Sequence, residues 1–168
     1  LRTAIEEAGL LAGKGPGQVP AEAIVSVKRT TRDGSAVEFT YITFADEGET
    51  CRYVVATDSE QGTVGATGGC GFVNDSFSAS WSVGTIATGG SNFVIAFGSD
   101  DQSSGIDRVE VELRGALGHP LSTPVEEGNW LLVTPAPANT PGITELKGLR
   151  NGQEVETVEI RLPHLQGG

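Results

Sequence analysis

Val109-Glu110-Val111-Glu112-Leu113 alternates apolar side chains with carboxylates without a break. Successive side chains of a β-strand point to opposite faces, so this period of two describes a strand with one face on a core and the other in water. A slip of one residue in the pairing would drive both carboxylates inward, which fixes the register. Val109, Val111 and Leu113 are therefore expected to be buried, with Glu110 and Glu112 facing solvent.

The pattern extends in both directions from this strand. Upstream, Ile24, Ser26 and Lys28 alternate with Val25, Val27 and Arg29, and an Asp33-Gly34 turn separates them from Val37 to Phe44, a hairpin signature. Further strands are expected at Cys51 to Thr57, Phe77 to Val83 and Phe93 to Gly98. Residues 60–71 hold too many glycines to assign. Downstream lie Leu121 to Val125, Trp130 to Val133, Ile143 to Leu149 and Glu154 to Leu162, divided by Glu127-Gly128-Asn129, Thr140-Pro141-Gly142 and Asn151-Gly152. About nine or ten short strands with no long amphipathic helix between them predict an all-β fold, an antiparallel two-sheet β-sandwich rather than an α/β fold, with a partly open barrel as the alternative.

The N-terminus follows a different rule. Thr3 and Glu6 stand at capping-box spacing, and Ile5, Leu10 and Leu11 gather on one side, so a short helix is expected. Residues 13–20, with their glycines and prolines, cannot continue it. This divides the chain into an N-terminal helix and Gly/Pro linker over 1–19 and a single sandwich domain over 20–165.

The 168-residue length suits one domain with a real core. A formal charge of −11 opposes binding to phosphate backbones or anionic lipid surfaces, so nucleic acid is not the expected partner. No stretch reaches the roughly 20 apolar residues of a membrane-spanning helix, so this domain is not expected to insert directly into a membrane. The chain opens on Leu1 rather than Met, which fits a processed precursor or a chain cut downstream of a signal or anchor.

Cys51 lies in a strand-like run and Cys70 in Gly68-Gly69-Cys70-Gly71. A disulfide between them would close a loop of about 20 residues and point to an oxidising compartment. The alternative is a pair of unrelated reduced thiols. No CxxC or Cys/His spacing offers a metal site.

Ile106-Asp107-Arg108-Val109-Glu110-Val111-Glu112-Leu113, Pro124-Val125, Glu127-Gly128-Asn129-Trp130, Pro141 and Asn151-Gly152-Gln153-Glu154-Val155 together resemble an immunoglobulin-like module of exported or membrane-anchored bacterial proteins. The resemblance covers residues 106–162. It implies a β-sandwich outside the cytoplasm and brings no catalytic residues with it.

Residues able to do chemistry are few. There is no G-x-S-x-G elbow, His119 lies in an expected turn between Gly118 and Pro120, and His164 follows Pro163 near the C-terminus. Glu110 with Glu112 share a solvated face, and Glu126-Glu127, Asp46-Glu47 and Glu6-Glu7 sit in turns or at the terminus, where they read as surface charge. Calcium takes hard oxygen ligands, and residues 100–107 supply Asp100, Asp101 and Asp107 beside Gln and Ser oxygens. This is not an EF-hand, because Gln102 stands at the third position and Val111 at the twelfth; the alternative is an ordinary solvated loop. Gly65 to Gly69 lacks the Lys of a phosphate-binding loop. Asn74-Asp75-Ser76 matches a glycosylation sequon. Trp81 and Trp130 are expected to pin the core.

The expected function is a non-enzymatic extracytoplasmic module, secreted or tethered at the cell surface, that binds or senses an extracellular protein or glycan through loops at the sandwich end. A secreted hydrolase built on carboxylates, or a structural surface subunit, are the alternatives.

Overall fold

A computed structural model describes residues 24–32, 35–46, 49–58, 62–70, 79–88, 91–100, 104–113, 119–135 and 143–159. The expected N-terminal helix and linker over 1–19, Asn74, Asp101 and His164 lie outside the described residues, as does the side chain of Trp81. The described residues form an all-β, antiparallel structure. Its strands are β1 (Ile24–Arg32), β2 (Ser35–Asp46), β3 (Glu49–Asp58), β4 (Gly62–Cys70), β5 (Ala79–Thr88), β6 (Ser91–Asp100), β7 (Arg108–Leu113), β8 (Leu121–Pro124), β9 (Asn129–Pro135), β10 (Ile143–Arg150) and β11 (Gln153–Glu159).

These strands make three sheets where a two-sheet sandwich was expected. The first is the meander β1-β2-β3-β4, the second has the order β5-β6-β9, and the third has the order β11-β10-β7-β8. The reason lies in the second sheet. In β6, Phe93-Val94-Ile95-Ala96-Phe97 is apolar at every position, and in β9 so is Trp130-Leu131-Leu132-Val133. Strands of this composition avoid water on both faces rather than one.

Phe93, Ile95, Phe97 and Leu131 pack with Val37, Phe39, Tyr41, Val54 and Ala56 of the first sheet. The rings of Phe39 and Phe93 lie 5.1 Å apart, and those of Tyr41 and Phe97 lie 5.3 Å apart. The opposite side chains, Val94, Ala96, Trp130 and Leu132, join Ile106, Val109, Val111, Leu113, Ile143 and Leu146 in a separate cluster with the third sheet. The β5-β6-β9 sheet is thus the middle layer. Burying each large apolar side chain there stabilises by roughly 1.5–3 kcal/mol.

Among the described residues, side-chain hydrogen bonds tie the middle layer to each neighbour. Arg52 Nε donates to Ser99 Oγ at 3.1 Å, joining β3 to β6. Thr123 Oγ1 donates to the Leu131 carbonyl at 2.9 Å, joining β8 to β9.

The β7 strand follows the alternation described above. Val109, Val111 and Leu113 are buried, Glu112 is exposed and Glu110 is half-exposed.

The glycine-rich residues 62–70 form β4, paired along β3. Glycine is required at one point in particular. Gly68 has φ +142°, and a Cβ there would collide with the Arg52 carbonyl oxygen and come within 2.7 Å of Tyr53 Cα. The backbones of β3 and β4 therefore approach closely only because position 68 has no side chain.

Cys51 and Cys70 stand directly opposite each other in this pair and are bonded, with Cα atoms 3.9 Å apart. The bond staples β3 to β4 across a sequence separation of 19 residues.

Candidate functional site

Three connections meet at one end of the middle and third layers. They are Ser104 to Asp107 ahead of β7, Val125 to Gly128 between β8 and β9, and Asn151-Gly152 between β10 and β11. Two of them are tight turns with positive φ at both central residues, Glu127 (51°) with Gly128 (76°) and Asn151 (53°) with Gly152 (75°). Such turns match the twist of antiparallel strands, and Asn-Gly is the pair that adopts them most readily.

Two aspartates lock the connections together. The Asp100 N–H donates to the Gly128 carbonyl at 2.7 Å, while Asp100 Oδ1 accepts from Ser104 Oγ at 2.7 Å. Ser104 Oγ in turn accepts the Ile106 N–H at 3.2 Å. The Asp107 N–H donates to the Leu149 carbonyl, and its own carbonyl accepts the Val125 N–H, both at 2.9 Å. Asp107 Oδ2 accepts the Asn151 N–H at 2.6 Å. Asp107 is thereby bonded to both neighbouring connections.

A calcium ion held by Asp100, Asp101 and Asp107 would have to compete with these donors. Asp100 is 7% exposed and faces Ser104, while Asp107 is turned to the β10–β11 corner. Among the described residues, no three His, Cys, Asp or Glu side chains come together as metal ligands.

What this end presents to solvent is mixed in charge. Asp107, Glu126, Glu127, Arg108, Arg150 and Asn151 are exposed. Arg150 lies over Gly105, where a Cβ would sit 3.4 Å from its Cδ. The sequence marked both turns but gave no sign that Arg150 joins this surface, because that follows from the β10–β11 pairing rather than from any local pattern.

The remaining residues singled out from sequence are dispersed. His119 is exposed at a bend before β8. Trp130 is 1% exposed inside the cluster of the middle and third layers. On the outer face of the third sheet, Glu112 is paired with Glu145, and Glu145 with Glu159. Lys147 lies between them and Glu154, with Nζ 3.5 Å from Glu145 and 3.8 Å from Glu154. The Glu145 carboxylate raises the Lys147 pKa above its ordinary value.

A second polar group, unforeseen from sequence, sits between the first and middle layers. Tyr41 is fully buried, and burial raises its pKa against the opposing influence of Ser99 and Arg52. Among the described residues, neither the Tyr41 hydroxyl nor Arg52 Nη1 makes a hydrogen bond of ordinary geometry. The available signal was Arg52 itself, the one cation within Cys51-Arg52-Tyr53-Val54-Val55-Ala56.

Comparison with protein families, curated proteins and solved structures found no match to this chain.

Proposed function

We propose that this chain is a non-enzymatic extracytoplasmic binding or sensing module. Strands β5–β11 form its immunoglobulin-like sandwich, and the Asp107-centred loop cluster is its contact surface. The strand order is the observation that carries the reading. Counted from β5, the first, second and fifth strands share one sheet, and the fourth, third, sixth and seventh share the other. A constant-type immunoglobulin domain differs from this order only in placing its fourth strand on the first sheet. The connections gathered around Asp107 are those between the second and third, fourth and fifth, and sixth and seventh strands. In variable domains the first and last of these carry antigen-contacting loops.

The Cys51–Cys70 disulfide supports an oxidising compartment outside the cytoplasm. The formal charge of −11 favours an extracellular protein or glycan over nucleic acid as partner. Loops held by a rigid scaffold can vary without disturbing the core, which suits them to recognition.

The test is binding of the wild-type chain to arrays of glycans and extracellular proteins, compared with a Glu126→Lys/Arg150→Glu variant. Binding that disappears in the variant, with circular dichroism unchanged, is expected. Binding indifferent to these changes would move the surface elsewhere. Reproducible glycoside or ester hydrolysis lost on changing one carboxylate would replace the reading with a hydrolase.

A further inference from the structure

Among the described residues, Arg52 makes no ion pair, in a chain with 22 acidic residues against 11 basic ones. In β3 it alternates with Val54 and Ala56, which face the middle layer, and its Nε donates to Ser99 Oγ of β6 at 3.1 Å. Its Nη1 is buried and makes no hydrogen bond of ordinary geometry among these residues. A guanidinium can only donate, so that nitrogen is satisfied by an acceptor and by nothing else.

Tyr41 brings a second donor to the same place. It stands opposite Val54 in the β2–β3 ladder, two residues along from Arg52, and is 0% exposed. Burial raises its pKa, and Ser99 and Arg52 both lie close enough to oppose that rise. Its hydroxyl is the other buried donor without a hydrogen bond of ordinary geometry here. The two groups therefore converge from neighbouring strands on one point between the first and middle layers.

This point lies just inside a rim. Arg52 is flanked across its two ladders by Thr43 and Gly69. Thr43, Arg52, Gly69 and Ser99 are all half-exposed, whereas Phe97, two residues along β6 from Ser99, is buried. Gly69 adds no side chain to the rim beside the guanidinium.

We propose that Arg52 Nη1 and the Tyr41 hydroxyl bind one compact monovalent anion, chloride or a small carboxylate, between the first and middle layers. Both groups donate to it, and the bond from the guanidinium is charge-assisted. One negative charge balances the cation, as a charge withdrawn from water requires. A water molecule would accept from the same donors but leave the charge unbalanced. Phosphate or sulfate would bring more charge than one guanidinium offsets, into a chain whose formal charge of −11 repels polyanions. The site uses no residue of the Asp107 loop cluster, so it is independent of the contact surface proposed there.

Quadrupolar relaxation of chloride, read as NMR line width with the folded full chain, tests the proposal. Saturable broadening that formate reverses is expected, and Arg52→Gln should abolish it. Tyr41→Phe should weaken chloride binding by about threefold, as the loss of one hydrogen bond predicts. Broadening that is absent from wild type, unaffected by formate or unchanged in Arg52→Gln would overturn the proposal. Wild-type crystals grown in bromide give a readout that needs no variant to fold. An anomalous peak in contact with both Arg52 Nη1 and Tyr41 Oη is expected; a water molecule in that place, or bromide only elsewhere, would overturn it.

Discussion

Strands β6 and β11 are both antiparallel, yet they sit at opposite extremes of burial. Every residue from Phe93 to Gly98 in β6 is buried, between β5 and β9 in its own sheet and between two other sheets above and below. In β11 no residue is buried, only Glu156 and Val158 reach the half-buried range, and Val155 is 41% exposed. The ladder to β10 also skips Val155, since Glu154 pairs with Leu149 and Glu156 with Gly148. Regular backbone pairing is therefore compatible with very different contributions to stability. In β6 the apolar faces hold the fold together; β11 is an edge held by one neighbour and the Asn151-Gly152 turn, and its bulge and carboxylates discourage pairing with another chain.

The largest consequence falls on β6. Phe97→Ala should cost about 3–5 kcal/mol in urea denaturation, because it empties space against Tyr41 that two sheets cannot readily close. A loss under about 1 kcal/mol would break the contrast from the buried side. Removing the disulfide by Cys51→Ala/Cys70→Ala should cost about 3 kcal/mol in the same assay, through the freedom returned to the unfolded chain. Gly68→Ala should destabilise by about 1–3 kcal/mol through overpacking against the β3 backbone, read as a lowered melting temperature.

Smaller effects sharpen the comparison. Tyr41→Phe should change stability by less than about 1 kcal/mol, since it removes a buried hydroxyl that makes no hydrogen bond of ordinary geometry among the described residues and leaves the packing intact. It should also alter the alkaline limb of a stability profile. Burial raises the Tyr41 pKa in the folded state, so this residue's contribution is fully present below its ordinary pKa of 10.0 and is lost as pH rises through the higher folded value. The variant should lose less stability than wild type above pH 10.0, measured by denaturation at stepped pH. Val155→Thr should fall within about 0.5 kcal/mol of wild type, as an exposed edge position should.

How far the sequence revealed this follows from the same contrast. Alternation in Val109 to Leu113 identified its strand, inward face and register, because one wet face and one dry face leave a period-two trace. Phe93 to Phe97 revealed a strand but not its surroundings, since a continuous apolar run does not say what lies on either side; the third sheet stayed hidden for that reason. Residues 62–70 concealed a strand because glycines there serve close approach to β3 rather than side-chain packing. Both cysteines could be proposed as partners from spacing, but their direct opposition depends on β3–β4 register. At the loop cluster, the Glu127-Gly128 and Asn151-Gly152 turns were visible, whereas the links through Asp100 and Asp107 arise between segments remote in sequence. The aspartates read as metal donors because carboxylates in a loop look alike whether they accept N–H groups or bind an ion.

The organisation around a doubly covered middle sheet is tested most directly by native-state hydrogen exchange followed by mass spectrometry. The paired amides of β6 and β9 should exchange only through global unfolding and be the slowest in the described structure, while those of β11 open locally and exchange orders of magnitude faster. Protection in β11 equal to that in β6, or fast exchange throughout β6, would contradict the three-layer account.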